Sequence, residues 1–316
     1  MSHDRILENE KLRVLTFSLG LMLLVYFLFS DFFVPVSDPM LPILFISTGE
    51  AGKLAVFLMI LFLFIFIASI FMIRARVSGV MLVAVVGMGG VAAKSSGDSL
   101  LPGAMEGTPG ELYGLMLVEI LIFGFFMLLA ETLAFRIRDI ISGRIPAFRW
   151  SGILDSYQNT PVAKLDNKAA SKLVVPREES CLSVLLRQGE RKNAAMHLLV
   201  CTAAGLVITT ALMRTDARGQ ILFSVFTGFA IAAMLSCRFF PTGCLCASWG
   251  GALAASVVIY LSSVVSVAWE DVLPIKETLP VDWITAGCGG SLFGYWVSRR
   301  MKDYRLVEIL EDREAE

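Results

Sequence analysis

RIRDIISGRIPAFRWSGILDSYQNTPVAKLDNKAASKLVVPREESCLSVLLRQGERKN, residues Arg136 to Asn193, is the one long polar and basic stretch in a chain otherwise dominated by apolar runs. Four hydrophobic segments lie on each side of it. A helix crosses the hydrocarbon core with a minimum of about 17 apolar residues. Runs of that kind fall at 14–33, 54–73, 77–93 and 113–135 before the stretch, and at 194–213, 220–237, 246–268 and 281–298 after it. The expected fold is all-α, a polytopic integral membrane helix bundle with about eight transmembrane helices. Residues 1–135 form the first four-helix membrane half, 136–193 a cytoplasmic basic loop with short amphipathic helices, 194–300 the second half and 301–316 a cytoplasmic tail.

Composition supports that class. At 56% hydrophobic and 17% charged residues, the chain falls outside the soluble range. The net charge of -1 is an average over segments of opposite sign and gives no reason to expect a nucleic-acid partner. Six cysteines lack the even spacing of a secreted disulfide framework, and a reducing compartment would keep them as thiols. The run from Val14 to Phe33 is too long for a signal peptide and reads as a first anchor.

Orientation follows from the cations, because cytoplasmic segments collect Lys and Arg. With the amino terminus inside and eight alternating spans, 22 of the 27 cations lie inside, eleven of them in the central loop. Only Lys53, Lys94, Arg214, Arg218 and Lys276 lie outside. The third span is the weakest, short and rich in glycine, but a re-entrant third segment would export one of the basic clusters. Both termini are therefore expected in the cytoplasm, with a bacterial inner membrane as the expected host.

Several local features carry narrower expectations. The patch Leu41 to Ile46, set among Pro35, Pro39 and Pro42, reads as an interfacial loop lying on the membrane surface, or more sharply as a lid over an outward-facing cavity. Glu178 and Glu179 after Pro176 suit the first turn of a helix. Trp269 and Trp283 bracket an acidic outer loop at the depth indoles prefer. Arg136, Arg138, Arg144 and Arg149, mixed with isoleucines, suit a helix leaving the bilayer among anionic headgroups. GMGGVAA (Gly87–Ala93) resembles WGGALAA (Trp249–Ala255), a match that would suit a parallel duplication or composition bias alone.

Glu119 is the leading candidate for function. A carboxylate inside LMLVEILIF is costly and marks either a proton-coupled site or a hydrogen-bonded pin between helices. Glu131 is expected to pair with Arg136 or Arg138. His197, at the inner end of the fifth span, reads as a proton relay or an interface hydrogen-bonder. Cys237, Cys244 and Cys246 cluster near an inner turn, but their spacing matches no zinc motif and a fourth ligand such as Cys201 would be required. Packing thiols are the default reading, and no metal or cofactor is expected. Gly87, Gly89, Gly90, Gly251, Gly290 and Gly294 read as close-packing positions, within the bundle or across a homo-oligomer. The spans hold neither the mid-membrane histidine of a serine protease nor paired intramembrane aspartates. An enzyme is thus the least supported class. A permease for a small solute or ion, with proton coupling, is the first reading. The alternative is a non-catalytic subunit or scaffold of a larger complex that docks a soluble partner through residues 136–193.

Overall fold

The computed structural model describes residues 3–34, 43–46, 51–72, 76–95, 109–144, 178–186, 188–215, 217–265 and 274–314. Eight long helices account for nearly all of them, and no named strand occurs among the described residues. α1 (3–33) passes through a π turn at Val25–Phe29, and α2 is Ala51–Phe71. α3 (Val77–Lys94) is interrupted at Met88, and α4 is Pro109–Arg144. A six-residue helix, Cys181–Leu186, then leads into α5 (Gln188–Leu212). α6 (Arg218–Phe239), α7 (Cys246–Val265) and α8 (280–314, with a π turn at Trp283–Gly287) complete the bundle.

The helices α1 to α7 are long and apolar enough to cross a membrane. Their outward faces expose Phe27, Met59, Leu121, Phe125, Val207 and Phe223. So much exposed apolar surface has no counterpart on soluble proteins and is suited to lipid. α8 obeys a different rule. Nearly every residue from Pro280 to Arg300 is buried, because α3, α6 and α7 pack around it. Shielded from lipid, it tolerates Thr285, Ser291 and several glycines that a lipid-facing span would not favour. α3 is enclosed in the same way, with 78% of its apolar window buried, so its glycine content reflects crowding and not a weak span.

The two halves of the chain meet where α4 packs on α7 and α3 on α8. These two contacts exchange when the halves are exchanged, as a parallel duplication would require. The glycine match follows the same exchange in its helix partners but not in depth. A Cβ on Gly90 would meet the α1 backbone at Met22 and Tyr26, and one on Gly251 would meet Cys201 of α5, but Gly90 lies late in its span and Gly251 early.

Ion pairs fix both faces. At one, Glu10 of α1 pairs with Arg300 of α8, Lys11 lies over the Tyr304 ring, and Arg76 before α3 meets Asp303 at 2.9 Å. Both chain ends therefore share this terminal face. At the opposite face, Lys94 pairs with Asp31 at 3.0 Å, Lys53 Nζ donates to the Val34 carbonyl at 2.8 Å, and Arg218 pairs with the fully buried Asp282.

Candidate functional site

Near the face opposite the termini, Glu119 is 1% exposed and turned inward from α4. Its Oε2 accepts hydrogen bonds from the backbone N–H groups of Phe45 (3.1 Å) and Ile46 (3.3 Å). Its Oε1 has no hydrogen-bond partner among the described residues. Ile43, Leu44 and Phe45 are buried, and Ile43 N–H donates to Ser95 Oγ at 3.0 Å. The Phe45 ring sits 6.0, 5.5 and 6.2 Å from the rings of Phe33, Phe57 and Phe123. This segment does not lie on the membrane surface; it is inserted between α1, α2 and α4. Burial of the aromatic ring favours insertion, and Ser95 and Glu119 supply the acceptors that its buried N–H groups require.

A polar layer continues from there into α7 and α8. Tyr260 Oη donates to the Thr278 carbonyl at 2.9 Å, and Trp283 Nε1 donates to Thr278 Oγ1 at 2.9 Å. Trp283 is thus fully buried and not interfacial as the outer-loop reading expected. Its indole N–H finds an internal partner, which removes the need for headgroup contact. Trp269 lies outside the described residues.

Toward the terminal face, Glu131 Oε1 accepts from the Cys181 N–H at 2.9 Å and Oε2 from Trp249 Nε1 at 2.7 Å. These replace the arginine partners expected from sequence. Glu131 faces into the bundle, whereas Arg136 is exposed on another side of α4 and Arg138, two turns further along, is half-buried. Trp249→Phe would leave the buried Oε2 without its donor. The expected loss is about 1–3 kcal/mol, seen as a lower thermal midpoint of the purified protein with α4 to α7 packing otherwise intact.

Glu178 does not enter a helix's first turn. It reaches back to α3, where it accepts from Ser78 Oγ at 2.6 Å and Ser78 N–H at 3.3 Å, with Arg299 Nε 4.0 Å away. Burial pushes the Glu178 carboxyl up, but the Arg299 and Arg76 guanidiniums and the Ser78 hydroxyl outweigh it and hold it below its ordinary value. Glu179 N–H donates to the Gly243 carbonyl at 3.1 Å. The end of the central loop is thereby pinned to the bundle.

The thiols regroup as well. Cys244 and Cys246 come together with Cys181, the three Sγ atoms all within 4.8 Å of one another. Cys237 is not in this group: it is buried on α6, where Lys302 Nζ donates to its carbonyl. Cys201 is also elsewhere, its Sγ directed to the Ser248 carbonyl at 3.6 Å. Hydrogen bonds from the Cys244 and Cys246 thiols draw the Cys181 thiol down to about 4, and the bond to Cys181 helps push Cys244 up to about 11. Sequence spacing links Cys244 to Cys246 and carries no sign of Cys181, which arrives from another segment.

His197 is fully buried with Nδ1 3.1 Å from the Phe240 carbonyl, so Nδ1 bears the hydrogen; Nε2 has no partner among the described residues. Of the glycines, Gly87, Gly90, Gly251, Gly290 and Gly294 each face a neighbouring helix closely, whereas a Cβ on Gly89 would come no nearer than 3.8 Å to Met22. Gly205 and Gly228, not singled out by any ridge pattern, seat the Phe229 ring and Thr209 between α5 and α6. Arg144 ends α4, and Arg149 lies outside the described residues. Comparison with known families, characterised proteins and solved structures finds no match to this chain.

Proposed function

We propose that this membrane protein is a permease for a small solute or ion, in which residues 43–46 plug the mouth of the path and Glu119 is the protonatable latch. The observation that carries the reading is the split role of Glu119: one oxygen holds the plug backbone, and the other has no partner among the described residues. An ionised carboxylate in such surroundings is costly. Proton uptake removes the charge and weakens the grip on the two N–H donors, so plug release is coupled to the proton.

The cation distribution supports placing the terminal face in the cytoplasm of a bacterial inner membrane, with the plug outward. Docking of a soluble partner through the central loop gains no support from its described end, where Glu178, Glu179 and Cys181 are engaged within the bundle.

Flux into proteoliposomes tests the proposal. Wild type is expected to show solute-dependent proton movement. Glu119→Gln keeps an acceptor for the plug but cannot titrate, and should lose at least about tenfold of the proton-coupled rate. Glu119→Ala, lacking the acceptor, should leak. Equal, background flux from all three proteins removes the transport reading.

A further inference from the structure

We propose that Cys181, Cys244 and Cys246 form a three-thiolate site for one Cu(I) ion. Their sulfurs lie within 4.8 Å of one another, with Cys244 and Cys246 3.2 Å apart. Three sulfurs around one ion at metal–sulfur distances of about 2.3 Å are separated by about 4 Å, so small side-chain adjustments close the site. The backbones that carry them are already fixed. Cys181 N–H is held by Glu131, Cys244 N–H by Thr242 Oγ1 at 3.1 Å, and the two segments are bridged through Glu179 and Gly243. Cys181 and Cys246 are only half-buried, which leaves an ion a way in.

The chemistry of the donors selects the ion. Thiolates favour soft d10 ions such as Cu(I) and Zn(II), but structural Zn(II) takes four ligands. Among the described residues no fourth His, Cys, Asp or Glu donor joins the three thiols. Cu(I) is satisfied by three sulfurs. Each thiol that binds releases its proton to solvent, and no change of oxidation state is involved. A bound ion would tie the end of the central loop to the turn between α6 and α7, beside the Glu131–Trp249 link to α4.

The full-length protein, reduced and kept under anaerobic conditions in detergent, is titrated with Cu(I) against a chromogenic Cu(I) chelator. One Cu(I) per chain is expected. Cys181→Ser, Cys244→Ser and Cys246→Ser should each weaken binding by about 100-fold or more, while Cys237→Ser and Cys201→Ser leave it unchanged. In the wild type, which avoids any folding defect of the variants, Cu(I) should shield Cys181 and Cys246 from maleimide, read residue by residue by mass spectrometry. Failure to retain Cu(I), equal retention by the Cys181→Ser protein, or Zn(II) displacing Cu(I) at equal concentration would each overturn the assignment.

Discussion

Arg218→Met is expected to cost about 3–5 kcal/mol and to leave little monodisperse protein after purification. Arg218 is the guanidinium partner of Asp282, donating through both terminal nitrogens, and its Nε also donates to the Ala92 carbonyl at 3.0 Å. It therefore ties the start of α6 to the end of α3 and the start of α8. The aspartate is fully buried. Removing the cation strands that charge, and the remaining bond from Leu279 N–H at 2.8 Å does not replace a guanidinium. The double variant Arg218→Met, Asp282→Asn removes both charges and should recover a large part of the loss. Thermal midpoints and size-exclusion profiles of the three proteins decide the matter. A single variant that behaves like wild type would mean that water reaches the pair and sustains the lone aspartate.

Gly294→Ala is expected to destabilise by about 1–3 kcal/mol or more. The new Cβ would press on the Ala230 carbonyl, whose carbon lies 2.8 Å from the Cβ position. Gly290 faces the carbonyl of Phe226 one turn along, so Gly290→Ala should behave alike. In both cases the obstacle is backbone, which cannot rotate out of the way as a side chain could. Gly89→Ala is the control: nothing lies within 3.7 Å of its Cβ position, the nearest atom being Met22 Sδ at 3.8 Å. With no clash and a better helix former in place, it should match wild type or exceed it slightly. Equal thermal midpoints for Gly89→Ala and Gly294→Ala would refute the close approach of α6 and α8.

These two effects show where sequence reading reaches and where it stops. The spans were legible because apolar run length is a local property: the runs at 77–93 and 220–237 correspond to helices Val77–Lys94 and Arg218–Phe239. That Glu119 is buried was also legible, from its apolar neighbours alone. Its partners were not, since Phe45 and Ile46 lie 74 and 73 residues away. The same holds for Glu131, where the nearby arginines were the natural local guess and the indole 118 residues away is the actual donor. Glycine spacing marked Gly290 and Gly294 as close-packing positions without naming α6 as their partner, and it could not separate Gly90, which faces backbone, from its neighbour Gly89, which does not. Cys181 joined Cys244 and Cys246 for the same reason that it escaped notice: the pairing is made by the docking of residues 178–186 and not by any motif.

The enclosure of α8 has a consequence for how the chain is made. A helix that carries Asp282, Thr285, Ser291 and a run of glycines gains little from lipid, and the charged residues in particular are penalised during insertion. Its favourable surroundings exist only after α3, α6 and α7 are in place to receive it. Synthesis order suits this, because α8 leaves the ribosome after the helices that receive it. α8 is thus a keystone, and its docking reports whether α3, α6 and α7 have assembled.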